Sequence, residues 1–133
     1  MSTAIVWLRN VLRVHDNPLL DWAHRSEEID SVIPVFVMDA ARGMGDEDQI
    51  GPNRMRFLYD SLSDLDDRLR RDYSARLMVL LGRAEEAIPL LAGELRTAGW
   101  LLTDYRPDPD SRREIWGIEA ALSEMGVRTK IFP

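Results

Sequence analysis

The chain contains no cysteine. That single absence removes disulfide frameworks, thiolate-held zinc and cysteine nucleophiles together. Histidine is scarce as well: His15 and His24 stand alone, outside any metal-ligand spacing, so no metal site is expected. His24 reads as a solvated helix residue and His15 as a hydrogen-bonding residue ahead of a helix cap. Lysine is nearly missing, Lys130 being the only one, and arginine carries the rest of the basic charge. With 17 basic and 23 acidic side chains the formal net charge is −6. Phosphate backbones are bound through clustered basic faces, so this chain is not expected to be a main nucleic-acid surface.

Other absences narrow the field further. No apolar run approaches the roughly 20 residues that a membrane helix needs. Met1-Ser2-Thr3 leads directly into a strand-like run without a basic leader or cleavage site, which predicts no signal peptide and a cytoplasmic location. Gly43-Met44-Gly45 lacks the third glycine of a dinucleotide loop, and no Walker A sequence occurs. Ser61 and Ser63 lie in a helical pattern with no nucleophile elbow, so acyl-transfer hydrolysis has no support.

What remains is the composition of one globular domain: 133 residues, 45% hydrophobic and 30% charged. The pattern alternates strand and helix throughout. Ala4 to Leu8 is continuously apolar, as expected of a parallel strand covered on both faces. Asp16-Asn17-Pro18 supplies a cap and a first-turn proline for a helix whose apolar face is Leu19, Leu20, Trp22 and Ala23. Ser31 to Met38 is the second strand, ending at Asp39, and residues 40–51 form the longest loop, acidic and glycine-rich.

Met55, Leu58, Tyr59, Leu62, Leu65 and Leu69 recur at spacings of three and four, predicting a long helix with Asp60, Asp64, Asp67 and Arg68 on its wet side. Leu77 to Leu81, closed by Gly82, is the third strand. Arg83 to Ala98 is helical in composition, with Pro89 either a kink or the start of its regular part, and Gly99 as its C′ residue. Trp100 to Thr103 is the fourth strand, running into Asp104-Tyr105. Ser111 to Met125 is the last helix, stopped by Gly126, and Val127 to Phe132 is a polar fifth strand suited to a sheet edge.

Five strands and four helices in alternation predict a doubly wound α/β sandwich with a five-stranded parallel sheet and right-handed crossovers. In such sheets a ligand sits beyond the carboxyl ends of the strands at the switch in strand order. The candidate site is therefore the loop cluster after Leu8, Met38 and Thr103.

The opening segment Trp7-Leu8-Arg9-Asn10-Val11-Leu12-Arg13-Val14-His15-Asp16-Asn17-Pro18-Leu19-Leu20 resembles the first signature of DNA photolyases and cryptochromes, with Trp7, Arg9, Leu12, Arg13, Asp16, Asn17 and Leu20 in register. Gly51-Pro52-Asn53-Arg54 with Phe57-Leu58, Ser61-Leu62, Leu65 and Leu69 is similar to the family's next motif. So are the strand Leu77 to Gly82 and the turn Asp104-Tyr105-Arg106-Pro107 with Arg113-Glu114 beyond it. The resemblance spans nearly the whole chain and implies the family's N-terminal α/β domain, a Rossmann-like three-layer sandwich over residues 1–133. The FAD-binding helical domain has no counterpart here.

In that family the α/β domain holds an antenna chromophore, a reduced folate or a deazaflavin or flavin, which passes excitation to FAD in the helical domain. Reduced FAD there repairs a pyrimidine lesion flipped out of UV-damaged DNA. The resemblance therefore implies a flavoprotein lyase as the parent, damaged DNA reached only through the helical domain, and no catalysis by this chain alone. Arg9, Asn10, Phe36, Asp39, Arg54, Asp104 and Tyr105 are the candidate cofactor-binding residues. The arginines would meet an anionic or carbonyl-rich ring, and Phe36 and Tyr105 would stack on it. Equally, Arg9 and Arg54 would organise the loops by pairing with Asp39 and Asp104.

This sequence departs from the family where Asn10 and Val11 replace an arginine and an aspartate, and where Asp108-Pro109-Asp110 stands in place of an asparagine–glutamate pair. Two other readings stay open. One is a nucleotide- or flavin-binding module like the universal stress proteins, although the turn Asp104 to Asp108 lacks their phosphate loop. The other is an interaction module with an empty pocket. Photolyase and cryptochrome are not separated by these motifs, and an exposed apolar patch is expected where a helical domain would dock.

Overall fold

The computed structural model describes residues 2–9, 12–39 and 51–133. Most of the predicted long loop, with Asn10 and Val11, lies outside the described residues. The elements follow the predicted alternation: β1 (Ser2–Trp7), α1 (Pro18–Arg25), β2 (Ile29–Met38), α2 (Pro52–Tyr73), β3 (Met78–Leu81), α3 (Ala84–Glu94), β4 (Ala98–Asp104), α4 (Pro109–Glu124) and β5 (Arg128–Phe132). All four strand pairings are parallel, in the order β3-β2-β1-β4-β5. The chain builds outward from β1 to β3, returns to the other side of β1 with β4, and so places the switch point between β1 and β4.

Local chemistry sets the boundaries. Asn17 caps α1, its side-chain oxygen accepting from the N–H groups of Leu19 (3.0 Å) and Leu20 (3.2 Å), while Pro18 occupies a position whose N–H has no helical partner anyway. Asp108 does the same for α4 through Ser111 N at 3.0 Å. The Ser111 hydroxyl and then its backbone N–H hold the Asp108 carboxyl below its usual range. Gly126, at φ 80°, turns the chain out of α4 in the left-handed region as predicted.

The sheet is covered on both faces. On one, Ile88 and Leu91 of α3 and Ile115, Ile118 and Leu122 of α4 pack on Ile5, Val35 and Leu101. On the other, Leu19, Leu20 and Ala23 of α1 and Leu65 and Leu69 of α2 pack on Ala4, Val6 and Leu102. Each fully buried aliphatic side chain contributes roughly 1.5–3 kcal/mol.

Three expectations are corrected. Tyr59 is half exposed rather than on the buried stripe of α2, whose inner face is Met55, Leu62, Leu65 and Leu69. The third helix spans Ala84–Glu94 and stops short of Ala98, with Pro89 inside it, so Pro89 does not mark its start. Gly99 is not a helix terminator but a residue of β4, where the β1–β4 register shifts between Thr3 and Ala4. A Cβ at Gly99 would come within 2.6 Å of the Ser2 Cβ, so its role is close strand approach.

Candidate functional site

At the carboxyl end of the sheet a narrow cavity of about 30 Å³ opens where β1 and β2 finish. Trp7 lines it from β1 and Leu8 and Arg9 from the segment just after it, Phe36 and Val37 from β2 and Asp39 just beyond, with Ala84 from α3, Arg106 from the turn after β4 and Glu114 from α4. Hydrogen bonds across the strand ends fix its floor. Leu8 N donates to the Val35 carbonyl at 2.8 Å, and the buried Thr103 hydroxyl donates to the Trp7 carbonyl at 3.2 Å. The second bond ties β1 to β4 at the switch point itself.

Arg9 dominates the electrostatics. Its guanidinium lies 4.5 Å from the centre of the Trp7 ring and 3.5 Å from Glu114, the two charged side chains being only 4% and 6% exposed. A pair so desolvated holds its geometry through mutual dependence: deleting either partner typically costs about 3–5 kcal/mol because a buried charge is left behind. A positive charge stacked on an indole face and steadied by a carboxylate offers donors to a carbonyl-bearing or anionic planar ring, and Phe36 adds an apolar wall.

The structure brings together three of the predicted residues, Arg9, Phe36 and Asp39. Asn10 lies outside the described residues. Arg54 is exposed at the start of α2 and does not line the cavity. Asp104 is half-buried at the end of β4, and Tyr105 is exposed, its N–H donating to the Phe132 carbonyl at 2.6 Å; neither reaches the cavity wall. Sequence reasoning placed Trp7 in the core, and it is both core and cavity wall. It did not find Arg106 or the role of Glu114. The one available signal for Glu114 was its place next to Arg113 beyond the Asp104-Tyr105 turn. Among the described residues no cluster of metal-ligating side chains occurs and no helix is long and apolar enough to cross a membrane.

Comparison with known proteins agrees with this fold. The DNA photolyase family pattern matches residues 4–133. The chain is 36% identical over 135 residues to the blue-light photoreceptor PHR2 of Arabidopsis thaliana, covering 97% of this chain and 29% of that protein. It is 47% identical over 90 residues to the (6-4)DNA photolyase of Oryza sativa subsp. japonica, covering 62% of this chain and 16% of that protein. Among solved structures, a Synechocystis cryptochrome superposes with a TM-score of 0.84 at 25% identity, over 98% of this chain and 27% of that one. A Sulfolobus tokodaii photolyase, described with two FAD molecules and a novel light-harvesting cofactor, superposes with a TM-score of 0.76 at 29% identity, over 98% of this chain and 29% of that one. The chain thus spans less than a third of the length of these relatives, which continue into a larger C-terminal region. Fold and sequence together place this chain in the DNA photolyase/cryptochrome family, as its N-terminal α/β domain.

Proposed function

We propose that this domain seats a light-absorbing ring, a flavin, deazaflavin or reduced folate, at the carboxyl end of its sheet and passes excitation to FAD held by a helical region of the kind its relatives carry. Residues 1–133 then act as one antenna unit. DNA repair or signalling chemistry belongs to the helical region, and this chain alone has no catalytic step. The observation that carries the reading is the convergence of Arg9, stacked on Trp7 and paired with Glu114, with Phe36 and Asp39 at the carboxyl ends of β1 and β2, beside the switch point of the sheet. Arg9 holds the ring's carbonyl edge, Phe36 and Trp7 supply apolar surface, and Glu114 fixes the guanidinium. Arg54, Asp104 and Tyr105 are assigned to the rim of the same loop cluster, and Asn10 is proposed as a binding residue from its place in the sequence alone.

The test is titration of the purified chain with FMN, a deazaflavin and a reduced folate, followed by absorption and fluorescence. One of the three is expected to bind with a shifted band, and Arg9→Ala and Phe36→Ala are each expected to weaken it at least tenfold. Absence of binding by all three overturns the antenna reading.

The cavity's narrowness favours a second reading, an interaction module that carries no chromophore. About 30 Å³ is room for one or two waters, whereas pockets for ring-sized ligands run from about 300 Å³ upward. The same titration separates the two, because a parent chain that binds none of the three fits only the second.

A further inference from the structure

Arg106 stands apart from the other walls of the cavity at the carboxyl end of the sheet. Trp7, Leu8, Phe36, Val37 and Ala84 are buried, and so are the charged side chains of Arg9, Asp39 and Glu114. Among the described residues that line the cavity, only Arg106 has a side chain open to water, 34% exposed. The described walls are therefore closed on the inside and open at Arg106. Any part of a ligand left outside comes to lie beside it.

The charges on these walls are not equally available. Arg9 is engaged by Glu114 at 3.5 Å and by the Trp7 ring. Arg106 has one ion pair among the described residues, its Nε to Asp108 Oδ1 at 3.9 Å, which is the outer limit of such a contact and beyond hydrogen-bond range. The Asp108 side chain is half exposed and has a task elsewhere, accepting from Ser111 N at 3.0 Å as the cap of α4. An exposed pair of that length contributes little, so Arg106 can exchange Asp108 for a better-placed anion at small cost. Its planar fork of N–H donors matches two oxygens of a phosphate or carboxylate. Asp39 and Glu114, both buried in the walls, repel negative charge from the interior and leave the mouth as its place.

We propose, resting on the antenna reading above, that Arg106 sets the class of ligand: a planar ring with an anionic tail, the ring's carbonyl edge inward at Arg9 and the tail outward against Arg106. The tail is a phosphate or a carboxylate. FMN and a glutamate-bearing reduced folate belong to this class, whereas riboflavin and a bare reduced pterin do not.

The experiment is fluorescence titration of the 133-residue chain with two matched pairs, FMN against riboflavin and tetrahydrofolate against tetrahydropterin, at low and high salt. The parent chain is expected to bind the tailed member of at least one pair ten times more tightly, with a preference that shrinks in high salt. The pair that shows it tells phosphate from carboxylate. Arg106→Gln, with folding verified by circular dichroism, is expected to bring the two members within threefold of each other. Arg106→Lys is expected to keep part of the preference, since the charge remains and the fork is lost. A merely structural role for Arg106 would weaken both members alike and leave their ratio unmoved. Binding without preference for the tail overturns the proposal, as does a preference that survives Arg106→Gln; the antenna reading stands in either case. A chain that binds none of the four overturns both.

Discussion

The two edges of the sheet are built on opposite plans. At β5 every second residue on the α1 face is cationic or aromatic, and each cation has a seat. Arg128 lies 4.1 Å from the centre of the Trp100 ring and bonds Glu28 at 2.9 Å, and Lys130 stands 5.4 Å from Trp22 and 5.2 Å from Phe132. Trp22 closes the layer, edge-on to Trp100 at 5.1 Å and to Phe132 at 6.2 Å. The charges that deter strand pairing here also cover the apolar layer, through stems that pack and heads that stay wet. At β3 the residues Met78-Val79-Leu80-Leu81 carry neither charge nor aromatic ring, and among the described residues no strand pairs with the outer side. One edge is finished and the other is left open, a difference that arises from side chains alone because both strands are parallel, short and peripheral.

The largest expected effect comes from removing the support of the finished edge. Trp100→Ala takes away the seat of Arg128 and the partner of Trp22 together, and is expected to cost about 3 kcal/mol in urea unfolding. A loss near zero would show that the β5 layer is ornament rather than structure. Gly99→Ala, at the close crossing of β4 on β1, forces a Cβ against Ser2 and is expected to cost about 2 kcal/mol by the same measurement. Arg128→Ala removes one stacked cation and one exposed ion pair, for a loss of about 1 kcal/mol that shrinks in high salt.

The cap of α4, the helix behind β5, gives a pH signature. The Asp108 carboxyl is held below its ordinary value when folded, so its contribution is fully present above the unfolded value of 3.8 and is lost as pH falls through the lower folded value. Asp108→Asn, which keeps a capping oxygen without the charge, is expected to flatten the acid limb of the stability curve. Smallest of all is the change at the open edge. Leu81→Lys is expected to alter stability by no more than about 0.5 kcal/mol, because the side chain is already in water.

Much of this was legible in the sequence, and the reasons are local. Continuous apolar runs announced β1, β2 and β4 because strands buried on both faces have no wet side to encode. The caps at Asn17 and the stop at Gly126 follow from backbone groups that need a partner or a φ that needs glycine. Tyr59 misled because a tyrosine at a helical spacing looks apolar whether or not anything covers it. Gly99 misled because a glycine after a helical stretch and a glycine at a strand crossing look identical in one dimension. At the site, Arg9, Phe36 and Asp39 were found because strand ends are predictable. Glu114 was not, because its pairing with Arg9 joins residues more than a hundred positions apart that only the crossovers bring together. The openness of the β3 edge was hidden for the same reason: Leu77 to Leu81 reads as a core strand, and its place in the sheet order is a tertiary fact.

The centre of the sheet is also its oldest part. β1 is made first, yet its second neighbour, β4, begins at Ala98, and Thr3 N waits for the Thr97 carbonyl at 2.8 Å. Until then Ala4, Ile5, Val6 and Trp7, all nearly inaccessible in the finished fold, form one side of an unfinished sheet. Contacts of such long sequence separation slow folding, since loop closure must precede the contacts that offset it. During synthesis the first three strands are all available before β4, and β1 keeps an apolar, unpaired flank for as long as the ribosome takes to deliver α3 and β4. In this topology the transient edge is at the heart of the domain, and the order of translation decides how long it stays open.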